Sequence, residues 1–258
     1  MHAWRWINRL QEESDWEPQT STSPGLLYLF GELHGISGLK KSRRIELMPY
    51  AVGRLSTFEK EPGNPFAEKG RTWAGTLGAD AKIGLSSNFT MDLTVNPDFG
   101  QVEADPSVMN LTAFETFYEE KRPFFLEGKS IFDYAVDDIS LFYSRRIGHA
   151  PSYVPADESG TYTDMPQQTS IIDALKLSGK TAGGFSVGIM QSLTAREHAI
   201  ITTGGEDRTE VTAEPYTNYM VGRVQQDFKE GNTVLGGIFT SANRFLSEDH
   251  LSFLSRSA

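Results

Sequence analysis

The chain has 258 residues, a formal net charge of −10 and no cysteine. That length suits one large domain or two small ones. The acidic balance argues against a nucleic-acid binder, which would show a basic surface, and the missing thiols exclude disulfides, thiolate zinc sites and a cysteine nucleophile. Apolar residues make up only 38% while glycine (24) and phenylalanine (16) are plentiful. This leaves two β architectures open: a soluble sandwich, and a membrane barrel whose polar interior replaces a packed core.

The N-terminus, Met1-His2-Ala3-Trp4-Arg5-Trp6, runs into a charged stretch and not into the apolar stretch of a secretory signal. No segment reaches the roughly 18 consecutive apolar residues of a membrane helix. The first strong pattern lies between Leu77 and Val95. Ala79, Ala81, Ile83 and Leu85 alternate with Asp80, Lys82, Gly84 and Ser86, and Phe89, Met91, Leu93 and Val95 alternate with Thr90, Asp92, Thr94 and Asn96. Side chains alternate faces along a strand, so each run predicts one apolar and one polar face. The short Ser86-Ser87-Asn88 break predicts an antiparallel hairpin. Asn96-Pro97-Asp98-Phe99-Gly100 predicts a turn, and Thr112 is placed to cap a short helix near residues 112–121.

Further along, Ile171 to Ser178 and Gly184 to Arg196 read as strands joined by a short turn at Gly179 to Gly183. Tyr216 to Phe228 and Thr233 to Arg244 read likewise, joined at Lys229 to Asn232. Two long polar loops, Gly148 to Gln168 and Glu197 to Pro215, separate these units. Short turns alternating with long loops match the plan of an outer-membrane barrel, whose turns face the periplasm and whose loops face outward. Gln191 interrupts the apolar side of its strand. Leu251-Ser252-Phe253-Leu254-Ser255 reads as the start of another strand, and the N-terminus begins in mid-pattern. The chain therefore reads as an internal fragment of a longer polypeptide, with a signal peptide expected upstream.

The run NPDFGQVEADPSVMNLTAFETFYEEKRPFFLEG, followed by LFYSRRIG at Leu141 to Gly148, resembles an uncharacterised family of large bacterial outer-membrane β-barrel proteins. In that family the barrel follows a domain similar to family-9 carbohydrate-binding modules. The resemblance extends to RRIELMPYAVG at Arg43 to Gly53, ALKLSGKTAGGFSVG at Ala174 to Gly188 and LTARE at Leu193 to Glu197. It departs at Asp173, where a small residue is expected. The resemblance implies a partial antiparallel transmembrane barrel over residues 21–258. Residues 1–20, with Trp4, Trp6 and Trp16, would be the trailing edge of the carbohydrate-binding-like domain. Outer-membrane lipid is the implied partner, with glycans reached through the neighbouring domain.

The chemistry-bearing candidates are acidic. Asp98, Glu103, Asp105, Glu115, Glu119 and Glu120 supply carboxylates that, in pairs about 5–9 Å apart, hydrolyse glycosides, or that together hold an incidental calcium ion. Their spacing fits no EF-hand loop. Barrel interiors also set acids against bases, and Lys121, Arg122, Arg145 and Arg146 are the matching cations. Arg145, Arg146, Phe117 and Tyr118 are candidate ligand-binding residues. His2, His34, His149, His198 and His250 are too dispersed for a metal set, and no cofactor is expected. The reading is a non-catalytic outer-membrane barrel acting as pore, surface receptor or scaffold. A surface-anchored glycoside hydrolase and a soluble β-sandwich carbohydrate-binding module are the alternatives.

Overall fold

The computed structural model describes residues 3–16, 30–31, 34–35, 44–97, 117–136, 139–156, 160–203, 207–229 and 232–257. The chain divides into two units, residues 1–42 and 43–258. In the first, β1 (Trp4–Ile7) and β2 (Glu12–Asp15) form an antiparallel hairpin with Trp4 paired to Asp15. Gln11 turns the corner with a left-handed φ of 52°. Trp4, Trp6 and Trp16 are exposed.

The second unit is all-β and antiparallel, built on a seven-stranded sheet. Its strands are β3 (Ile45–Thr57), β4 (Arg71–Gly84), β5 (Phe89–Val95), β9 (Ile171–Lys180), β10 (Phe185–Thr194), β13 (Thr217–Phe228) and β14 (Thr233–Arg244). They lie side by side in that order, each paired with its predecessor. The hairpins expected around residues 86–88, 179–183 and 229–232 are all present. These short connectors join strand ends at one rim, and the long connections that follow β3, β5 and β10 leave from the other.

Register sorts the side chains by face. One row crossing all seven strands reads Ile45, Ile83, Met91, Leu177, Ile189, Gly222 and Phe239. The adjacent row, one residue away, reads Glu46, Lys82, Asp92, Lys176, Met190, Val221 and Thr240. The second, polar face is the covered one. Asp92, Thr94, Lys176, Ser192 and Thr194 are buried, whereas Leu93, Leu175, Ile189, Met220 and Phe239 are exposed on the first. Asp173 sits on the apolar face opposite Val95 and Leu193, near the rim of long connectors. Gln191 on the same face donates to the Asn218 Oδ1 of the next strand at 2.7 Å.

Residues 117–147 cover the polar face. Pro123 opens the single-turn helix α1 (Pro123–Leu126), and Gly128, at φ 67°, turns the chain into α2 (Lys129–Phe132). A two-strand ribbon, β6 (Ala135–Val136) with β7 (Ile139–Ser140), and a 3-10 turn at Ser144–Arg146 follow. Phe125, Phe132 and Ile147 pack on Ile171, Ala174, Met190 and Val221 to form the apolar core. Gly188 makes room for α2: a Cβ there would lie 2.5 Å from Ile131 Cγ2.

Three expectations are corrected. Residues 117–121 are not helical, because the helical turns begin at Pro123, whose fixed φ suits the first position of a helix. The loop expected at Glu197 to Pro215 holds β11 (Glu197–Thr202) and β12 (Arg208–Glu214), which pair with each other, and β11 also pairs with β8 (Tyr162–Asp164) from the other expected loop. Burial of Ala199, Thr202, Thr212 and Ala213 shows why that polar stretch orders. Leu251 to Ser255 is not a strand: a 3-10 turn at Asp249–Leu251 buries Leu251 completely and leaves Phe253 exposed.

Candidate functional site: the covered polar face

Two polar clusters organise the covering segment: the first ties it to the sheet, and the second ties its own two ends together. In the first, Lys176 of β9 is 0% exposed. Its Nζ donates to the backbone carbonyls of Phe124 (2.5 Å) and Glu127 (2.7 Å) and faces Asp92 Oδ2 at 3.4 Å. The same ammonium lies 4.7 Å from the centre of the Phe124 ring. Lys82 of β4 stands 3.7 Å from Asp92 Oδ1 and bonds the Glu127 carboxylate. A buried cation is stable only when its charge and protons are matched, and here an acid and two backbone carbonyls match it. The carbonyls belong to α1 and its cap, so the pairing holds sheet and cover together.

The second cluster explains the Glu-Glu-Lys-Arg-Pro-Phe-Phe motif. Arg122 donates through Nε to Glu120 Oε1 (2.8 Å) and through Nη2 to Glu120 Oε2 (2.7 Å). It reaches the Ile147 and Ser144 carbonyls as well, and its guanidinium stacks 4.2 Å over Phe125. Ser144 Oγ donates to Glu120 Oε2 at 2.6 Å. Burial by itself would raise the Glu120 carboxyl, but the Arg122 guanidinium, the Ser144 hydroxyl and the Arg122 amide together hold it below the usual carboxylate range. Two distant motifs, residues 120–125 and 144–147, thus form one buried knot.

Of the expected site residues, Asp98, Glu103, Asp105 and Glu115 lie outside the described residues, as does Thr112. Glu120 is locked to Arg122. Glu119 and Tyr118 border a small cleft of about 160 Å³ beside Phe125 and Phe132. Tyr118 exchanges backbone hydrogen bonds with the Tyr143 hydroxyl, and the exposed Phe117 meets the Tyr143 ring edge-on at 4.9 Å. Lys121 holds interactions of its own. Arg145 and Arg146 do so too, and they line a larger space.

That space is a cavity of about 1730 Å³ on the polar face, toward the rim of long connectors. Its walls are the ends of β3 and β4 on one side and of β13 and β14 on the other, with the turn at Ser144–Arg146 as floor. Sequence reasoning missed Lys176 and Asp92 as partners, although both sat on polar positions of alternating strands. It also missed Arg54, Arg71, Arg208 and Arg244, whose shared signal is an arginine at a strand end beside a long connector. Among the described residues no group of three histidine or acidic side chains gathers to hold a metal ion. Among the described residues no helix is long and apolar enough to cross a membrane.

An antiparallel meander with a covered polar face and an uncovered apolar one defines the class of protein. Residues 42–246 match the family described as Domain of unknown function (DUF5916), and the chain belongs to it. No curated protein and no solved structure matches the chain.

Proposed function

We propose that residues 43–258 form part of an outer-membrane β-barrel, acting as a pore, surface receptor or scaffold and not as a catalyst. The observation that carries this reading is the inverted alternation: on β5, β9 and β10 Asp92, Thr94, Lys176, Ser192 and Thr194 are buried while Leu93, Leu175 and Ile189 on the other face are exposed, as are Leu47, Trp73, Leu77 and Phe239 on the flanking strands. A sandwich in water does the opposite, burying its apolar faces between two sheets. A transmembrane barrel faces lipid with its apolar side and fills its lumen with polar groups and plugs.

Dimensions support the reading. On β4 the apolar-face residues run from Trp73 through Gly75, Leu77, Ala79 and Ala81 to Ile83. These are ten residue steps, or about 33 Å along the strand at roughly 3.3 Å each. Tilted by about 40°, that stretch rises about 25 Å, the height of a barrel's apolar band. Connectors alternating between a trimmed and an elaborated rim belong to the same plan.

The hydrolase alternative gains nothing from Glu120. Both carboxylates of a glycosidase must reach the substrate, whereas Glu120 is buried with both oxygens bonded to Arg122 and Ser144. Glycan handling draws on the resemblance alone.

Refolding tests the proposal. In plain buffer the chain alone aggregates, because an unclosed barrel leaves strand edges and apolar faces open; as part of the full-length protein it folds in short-chain phosphatidylcholine vesicles and migrates as a compact species on unheated gels. Brominated lipid then quenches fluorescence that is lost in Trp73→Phe. A monomer melting cooperatively in buffer without lipid overturns the reading. Topology follows from whole-cell labelling of cysteines engineered into the full-length protein: Asp207→Cys is labelled and Thr181→Cys is protected, and the reverse inverts the orientation.

A further inference from the structure

The cavity on the polar face carries a charge opposite to that of the whole chain. Although the protein has a formal net charge of −10, the cavity is lined by Arg54, Lys69, Arg71, Arg145, Arg146 and Arg208. Arg244 closes the far wall, with its buried Nε lacking a hydrogen-bond partner. Among the described lining residues Asp164 is the one carboxylate. Arg54, Arg145 and Arg146 hold other interactions, so recognition is assigned to Lys69, Arg71, Arg208 and Arg244. Lys69 and Arg71 are exposed and meet no carboxylate among the described residues. Arg208 is steadied 5.5 Å over the Phe66 ring, which leaves its guanidinium edge for a ligand. These cations come from four separate places: the 58–70 connector, β4, β12 and β14. Like charges converging from separate elements repel one another unless an anion sits among them.

We propose that this cavity is a binding vestibule for a soluble organic polyanion, one carrying several carboxylate or phosphate groups. Guanidinium groups match both of these anions through paired, charge-assisted hydrogen bonds, and rings of Arg and Lys select anions in pores. The volume, about 1730 Å³, exceeds the roughly 300–1,000 Å³ of a drug-sized pocket. It suits an oligomer or a multiply substituted ring more than a lone inorganic ion. The proposal concerns the polar face only and holds whether lipid or protein covers the other.

Calorimetry tests it, with a galacturonate oligomer and inositol hexakisphosphate as the carboxylate and phosphate probes. A neutral maltose oligomer of matched length and inorganic phosphate are the controls. The full chain is used in whichever state it folds, vesicle-bound or in buffer, so loss of the membrane reading leaves this measurement intact. At least one polyanion binds with an affinity that falls steeply with added salt, while the neutral oligomer does not bind. The double variant Arg71→Glu/Arg208→Glu weakens binding at least tenfold and keeps the parent circular dichroism. Arg71→Gln/Arg208→Gln, which leaves less repulsion should the reversal misfold, weakens it by a smaller factor. No polyanion binding, equal binding of the neutral oligomer, or unchanged affinity in a folded double variant overturns the proposal. Preference for one polyanion over the other names the source of the anion.

Discussion

On β9, Leu175 is 36% exposed while Lys176, the next residue, is fully buried. On β5 the same contrast sets Leu93 against Thr94, and on β10 Ile189 against Met190 and Ser192. The two faces of this sheet thus follow different solvation rules. Burying a lysine costs several kcal/mol unless partners compensate it, and on the covered face Asp92 with two carbonyls does so. Leaving a leucine or isoleucine in water forgoes about 1.5–3 kcal/mol each, and no described element covers the other face. The covered face is matched by polar partners from residues 120–127, whereas the apolar face stays exposed among the described residues.

The strongest way to break this contrast is to alter adjacent residues of β9. Lys176→Met leaves the buried Asp92 short of a partner and frees the Phe124 and Glu127 carbonyls, lowering stability by about 3–5 kcal/mol. Leu175→Met, one position away on the uncovered face, changes it by less than about 1.5 kcal/mol. Urea titration of the lipid-refolded chain measures both. Equal effects would remove the distinction between faces.

A charge placed on the uncovered face sharpens the contrast further. Ile189→Arg destabilises the vesicle-bound chain by about 2–4 kcal/mol if that position lies at the bilayer midplane. The same change on a water-facing surface stays within about ±0.5 kcal/mol. Comparing urea midpoints in vesicles decides which solvent the face meets.

Glycines separate the faces more gently. Gly188→Val drives a side chain into Ile131 and Phe132 of α2, at an overpacking cost of about 1–3 kcal/mol. Gly237→Ala meets nothing within 4 Å and leaves the midpoint unchanged. Increased protease cleavage between residues 123 and 132 in the first variant alone would report a loosened cover.

The smallest expected effect is acid sensitivity. Glu120 has a lowered pKa in the folded state, so its ionised form stabilises the fold above the ordinary glutamate value of about 4.3. That stabilisation is lost as pH falls below this value toward the folded one. Glu120→Gln starts less stable at neutral pH but shows a shallower decline between about pH 5 and 3. Parallel acid titrations of the two proteins would exclude a folded-state role for the Glu120 charge.

Alternation by itself determined much of this molecule. The runs Ala79 to Leu85 and Phe89 to Val95 specified strands, faces and hairpin, because a period of two admits one pairing that keeps apolar residues together. The three short connectors were equally legible, since local turn chemistry sets them. Residues 117–121 were expected to continue a helix capped by Thr112, whereas among the described residues Pro123 and Gly128 impose the helical starts. The ribbon of β11 and β12 was hidden because its order comes from β8, more than thirty residues earlier. Only the tertiary structure decided which face is covered, since alternation has no sign: the same pattern serves water outside or lipid outside. It alone paired Lys176 with Asp92 and Glu120 with the Ser144 turn, and it alone gathered the cationic wall. Those are contacts between segments distant in sequence, and charge acts through space without leaving a period in the chain.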